Sequence, residues 1–123
     1  MHALLIDDSR AHRLVTGHSL EDLGFEVTEA ENSAEAATCL KKKTKFDLVL
    51  VDWEMPRMNG LEFIRNVRAD PIHGTTPIIL LGTTKFHDHL IEALEAGANE
   101  YIMKPFTKDV LEMKLQILGI DAG

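Results

Sequence analysis

Five short apolar runs recur along the chain: "ALLID" at 3 to 7, "FEVTEA" at 25 to 30, "DLVLVD" at 47 to 52, "PIILLG" at 77 to 82 and "NEYIMK" at 99 to 104. The longer segments between them carry apolar residues at helical spacing, so the pattern predicts five βα units. Runs one, three and four are almost continuously apolar, as expected of parallel strands covered by helices on both faces. Run two alternates and reads as an edge strand. The expected fold is a flavodoxin-like (βα)5 doubly wound sandwich, with a five-stranded parallel sheet of order 2-1-3-4-5.

Helix boundaries carry their own signals. Asn32 with Glu35, and Asn59 with Glu62, each place a capping amide three residues before a Glu that can reach back to a free backbone N–H. "HLIEALEAG" and "LEMKLQILG" end on Gly97 and Gly119, which can take the left-handed conformation that closes a helix. Leu111, Leu115 and Leu118 form an apolar stripe on the last helix. Val15, Thr16, Leu20 and Leu23 give the first helix only a loose face.

The length of 123 residues suits one domain spanning 1 to 123, large enough for one core and too small for two. No apolar run reaches the roughly 18 residues of a membrane span, and "MHALLIDDS" turns acidic too early for a signal peptide. A cytoplasmic protein without membrane contact is expected. The one cysteine, Cys39, has no disulfide partner in the chain and reads as a core or boundary residue. A net charge of −7 argues against direct nucleic-acid binding, which requires neutralisation of phosphates, and leaves protein partners or a cation. "KKKTK" at 41 to 45 reads as a solvated helix end, and "HDH" at 87 to 89 spaces its rings for different helix faces rather than for one metal.

The fold fixes where chemistry can occur. Ligands of open α/β sheets bind beyond the carboxyl ends of the strands where strand order reverses, between strands one and three here. Asp7 and Asp8 close the first run and Asp52 closes the third. With adjacent strands about 4.8 Å apart, three carboxylates crowd one pocket, which must raise a pKa or hold a cation. Carboxylate oxygens with room for water suit Mg²⁺, which leaves positions for phosphate oxygens. Lys104, closing the fifth run, supplies a positive charge from the other side, and the Lys104–Pro105 bond is one that can be cis at modest cost.

The set "IDDS", "LVLVDWEMPRMNG" and "EYIMKPF", in this order and at these spacings, resembles the receiver domain of two-component response regulators, most of all the stand-alone chemotaxis (CheY-like) type. The resemblance covers essentially the whole chain. It implies that Asp52 is the phosphoacceptor, that Asp8, Asp52 and the backbone carbonyl of Glu54 bind Mg²⁺ directly, and that Asp7 acts through water. It also implies Lys104 as the phosphoryl-binding lysine, Tyr101 as the aromatic switch, and Glu54 and Thr84 as modulators of dephosphorylation. The implied partners are a sensor histidine kinase or phosphotransfer protein and an unidentified downstream protein. The latter would meet a surface of helix four, strand five and helix five that includes Leu90, Tyr101, Met103 and Lys108. Phosphotransfer and dephosphorylation would be self-catalysed by a signalling protein, a monomer or weak dimer, rather than by a conventional enzyme.

One position departs from that family. Its Thr or Ser at the end of strand four, whose hydroxyl bonds a phosphoryl oxygen, is Gly82 here. Thr83 is next in line as a phosphoryl-binding group, but bringing it into the slot by a one-residue slip would turn a buried strand inside out. Two readings therefore stand: a phosphoacceptor receiver, or a receiver-like interaction module that works without phosphorylation. An aspartyl-phosphate hydrolase would carry a second Asp where Glu54 stands, and no phosphate-binding G-x-x-x-x-G-K-[ST] loop is present. Trp53 reads either as a partly buried ring or as a shield for the pocket.

Overall fold

In a computed structural model, which describes residues 1–42, 45–55, 60–83 and 89–120, the apolar runs become five strands: β1 (His2–Ile6), β2 (Glu26–Ala30), β3 (Leu48–Asp52), β4 (Ile78–Gly82) and β5 (Glu100–Met103). They alternate with helices α1 (Arg10–Asp22), α2 (Ser33–Lys41), α3 (Gly60–Ala69), α4 (Leu90–Ala96) and α5 (Lys108–Ile117). All neighbouring strands are parallel, in the order β2-β1-β3-β4-β5. The alternating second run lies at an edge, and β1, β3 and β4 occupy the centre, as their continuous apolar character requires.

Because side chains alternate along a strand, the sheet divides two cores between its faces. Leu4, Ile6, Val49, Val51, Ile78 and Leu80 pack with Leu40, Phe63, Ile64, Val67 and Ala93 of α2, α3 and α4. Leu5, Leu48, Leu50, Ile79, Leu81 and Ile102 pack with Leu20 of α1 and Leu111 and Leu115 of α5. Cys39 is buried in the first of these cores.

The helix ends follow local chemistry. Asn32 Oδ1 accepts the Glu35 N–H at 2.8 Å, while Glu35 Oε1 accepts the N–H of Glu31 at 3.0 Å, one residue earlier than a capping box would have it. Ser9 caps α1 by accepting the His12 N–H at 3.3 Å, a cap the periodicity alone does not reveal. The expected cap at Asn59 lies outside the described residues, as do His87 and Asp88 of the histidine pair and Lys43 and Thr44 of the basic run. In α1 the buried residues are Thr16, Gly17 and Leu20, with Val15 69% exposed, so the face is rotated away from Val15. A methyl group at Gly17 would lie 3.9 Å from Leu5 Cδ2, which shows how closely α1 approaches β1.

At the amino ends of the strands, Arg68 joins α3 to the segments that lead into β4 and β5. Its Nε donates to Gly97 O at 2.9 Å, one terminal nitrogen to Thr76 O at 2.8 Å, and the other to Asn99 Oδ1 at 2.6 Å. Beside it, the fully buried His73 accepts the Phe46 N–H at 3.3 Å through Nε2. This end of the sheet is closed by polar contacts, and the opposite end carries the acidic pocket.

Candidate functional site

β1 ends at Ile6, and Asp7 continues its line by donating its N–H to Ala30 O at 3.1 Å, which leaves the Asp7 side chain buried at the carboxyl edge. Asp52 is the last residue of β3 and also buried, while Asp8 is exposed. Carboxylate oxygens of Asp7, Asp8 and Asp52 lie within 4.8 Å of one another, so the topology brings together the three acids that strand order had placed at one switch point.

Each oxygen has a distinct environment. Asp52 Oδ1 accepts the Glu54 N–H at 3.0 Å and Oδ2 faces Lys104 Nζ at 3.2 Å. Asp7 Oδ1 accepts the Ser9 N–H at 2.9 Å, whereas Asp7 Oδ2 is buried and has no hydrogen-bond partner among the described residues. The His12 ring approaches that oxygen, with Nδ1 3.9 Å away. Burial pushes the Asp7 carboxyl above its ordinary pKa; the Ser9 N–H, then Lys104 and His12, act in the opposite sense, and the charge of Asp52 adds to the rise. A buried oxygen without a donor, beside two further carboxylates, fits a hard divalent cation such as Mg²⁺.

Arg13 sets the position of this edge. One guanidinium nitrogen donates to Asp7 O at 2.6 Å and Nε pairs with Glu29 Oε1 at 3.0 Å, tying the end of β1 to β2. In sequence Arg13 looks like any surface helix residue, and only its spacing of six from Asp7 hints otherwise.

Lys104 follows β5, donates its N–H to Gly82 O at 2.8 Å, and is joined to Pro105 by a cis peptide bond. β4 keeps its register, with Asp52 opposite Leu81 and Gly82 opposite Met103. Gly82 therefore falls in line with Ile78 and Leu80, on the side of α2, α3 and α4. Thr83 does not slip into its place: its N–H donates to Glu54 Oε1 at 3.0 Å, and its hydroxyl donates to the same oxygen. Thr84 lies outside the described residues. A cavity of about 390 Å³ opens beside the carboxylates, lined by His12, Thr16, Glu54, Thr83, Lys104 and Phe106 among others.

Trp53 is half-buried and packs toward the core of α2, α3 and α4, its ring resting on Gly60, where a methyl group would come within 2.6 Å of Cζ3. It is thus a packing ring on the face opposite the cavity. Tyr101 is half-buried against the same core, with Lys114 Nζ 5.0 Å from its ring centroid. Lys114 also pairs with Glu100 at 3.1 Å. Of the expected output residues, Leu90 is half-buried and Met103 37% exposed, whereas Lys108 turns toward α1, its Nζ 3.9 Å from Asp22.

Residues 3–116 match the family described as the response regulator receiver domain. The chain is similar to a chemotaxis protein CheY homolog of Campylobacter jejuni, 42% identical over 100% of this chain and 96% of that protein. It is 41% identical to chemotaxis protein CheY1 of Helicobacter pylori over 96% of each. Among solved structures it resembles the chemotaxis response regulator CheY4 of Vibrio cholerae, with a TM-score of 0.86 and 34% identity over 95% of this chain and 97% of that one. It also resembles the receiver domain of a sensor histidine kinase from Pseudomonas aeruginosa, solved with a magnesium ion coordinated in its active-site cleft. There the TM-score is 0.83 and the identity 28%, over 94% of each chain.

Proposed function

The chain belongs to the response regulator receiver domain family, and from that membership we propose that Asp52 accepts a phosphoryl group from a sensor histidine kinase or phosphotransfer protein. The observation that carries this reading is the environment of Asp52: a buried strand-end carboxylate held between the Lys104 ammonium at 3.2 Å and two further acids, one with an unpartnered oxygen. Structural packing alone does not require such a cluster, because like charges this close are unfavourable without a counter-charge.

In the transfer, an Asp52 oxygen forms the new O–P bond as the donor's N–P bond breaks, and the donor imidazole takes up a proton. The Glu54 N–H steadies Oδ1, and Lys104 moves its charge from Oδ2 toward the equatorial phosphoryl oxygens, where negative charge accumulates. Asp8, Asp52 and the Glu54 carbonyl would hold Mg²⁺ directly, with Asp7 reaching it through water. When bound, the ion supplies positive charge to the phosphoryl oxygens. Arg13 keeps the Asp7 backbone in place for this task. The protein catalyses its own phosphorylation and dephosphorylation, with Glu54 and Thr84 as modulators of dephosphorylation, and it does not turn over a separate substrate.

Residues 1–123 act as one cytoplasmic receiver domain, monomeric or weakly dimeric, with no direct nucleic-acid or membrane contact. No helix among the described residues is long and apolar enough to cross a membrane. Output passes through α4, β5 and α5 with Tyr101 as the switch. Exposed Ile91 and Leu94 of α4, Met103 of β5 and Met113 and Ile117 of α5 support a protein-docking role for these elements. The second reading, an interaction module independent of phosphate, rests on Gly82, which brings no hydroxyl to the end of β4. Phosphotransfer from a panel of histidine kinases tests the two: the first predicts transfer to the wild type and none to Asp52→Asn, the second none to either.

A further inference from the structure

The pocket contains an anion-binding arrangement that the protein fills with its own carboxylate. Glu54 Oε1 accepts both the N–H and the hydroxyl of Thr83, across a sequence separation of 29 residues. The two donors stand just past Gly82, at the end of the strand whose Leu81 is the register partner of Asp52. Glu54, Thr83 and Lys104 line one cavity, and Lys104 reaches Asp52. An N–H and an O–H converging on one anionic oxygen, next to a lysine, form a site that a phosphoryl oxygen would satisfy equally well.

We propose that Glu54 is an internal competitor of the phosphoryl group. At rest its carboxylate holds the donors of Thr83. Phosphorylation of Asp52 displaces it and transfers both donors to a phosphoryl oxygen. This inference rests on the reading of Asp52 as the phosphoacceptor. The driving force is charge: a phosphoryl group carries about −1.5 to −2, outbids a carboxylate for the same donors, and repels a carboxylate two residues away. The exchange also gives Thr83 the role that Gly82 cannot fill. The bond that joins the segment after β3 to the segment after β4 opens only when the site is loaded. Glu54 therefore sets the threshold, since a ligand shifts a two-state equilibrium only by its differential contacts.

The test is titration of the magnesium-loaded protein with beryllofluoride, a phosphoryl analogue, followed by fluorine NMR. Glu54→Gln weakens the competitor and should tighten analogue binding by about tenfold, the scale of one charge-assisted hydrogen bond. Adding Thr83→Val to Glu54→Gln should return part of that gain, because the hydroxyl is one of the two released donors that the analogue captures, and Thr83→Ser in the same background should keep it. Unchanged or weaker binding by Glu54→Gln, or a gain that Thr83→Val leaves undiminished, overturns the competitor role. If the wild type binds no analogue while Asp52 is intact, the phosphoacceptor reading itself falls.

Discussion

Replacing Asp7 by Asn should stabilise the metal-free protein, although it removes a residue assigned to the site. The Asp7 side chain is 1% exposed, and its carboxylate lies within 4.8 Å of those of Asp8 and Asp52. Two unit charges at that distance repel by about 3.5 kcal/mol at an effective dielectric constant near 20. Lys104 offsets part of this, since it sits 3.2 Å from Asp52. Asn retains an oxygen for the Ser9 N–H and avoids burying a charge, so a net gain of roughly 1–2 kcal/mol at neutral pH is expected. The sign with pH follows from the raised pKa of Asp7. The folded chain holds the Asp7 proton to higher pH than the unfolded chain, so the wild type loses stability as pH climbs from the ordinary value of about 3.9 through the raised folded value, and the full penalty applies above it. Below the ordinary value the penalty vanishes. Urea unfolding with a chelator present, at a series of pH values, should show the gap between Asp7→Asn and wild type widening as pH rises through that window. Mg²⁺ should then narrow it by stabilising the wild type more. A variant less stable than wild type at neutral pH, or a gap that does not change with pH, would refute this view of the pocket.

Asp8→Ala should lose Mg²⁺ binding in titration calorimetry while keeping its fold, because Asp8 is exposed; unchanged binding would remove it from the ligand set. Arg68→Met should cost about 2–4 kcal/mol in urea unfolding, as the part-buried carbonyls of Gly97, His73, Gly74 and Thr76 lose a donor at once. The same variant should leave beryllofluoride affinity at Asp52 unaltered, since the network lies at the opposite end of the sheet. A parallel loss of affinity would show that the two ends are coupled.

The sheet was legible in the sequence because its central strands are buried on both faces and cannot hide their apolar character. The acidic pocket followed because parallel topology carries the ends of β1 and β3 to one place. Other features left no periodic trace. The face of α1 includes Gly17 and excludes Val15, since what selects it is close approach to β1 rather than hydrophobicity. His73 and Arg68 read as turn and helix-end polar residues, yet their burial is balanced by specific partners up to 31 positions away. Glu54 and Thr83 meet across 29 positions, and a single carboxylate and hydroxyl carry no pattern that would pair them.

The most direct test is to expose the protein to phosphoramidate and Mg²⁺, reduce the product with borohydride, and locate the modification by peptide mass spectrometry. An acyl phosphate on Asp52 would be reduced to homoserine at position 52; that conversion is expected in the wild type, with its loss in Asp52→Asn and a much lower yield in Lys104→Ala. Homoserine at Asp7 or Asp8 instead, or no conversion anywhere, would contradict the assignment of Asp52 as the phosphoacceptor.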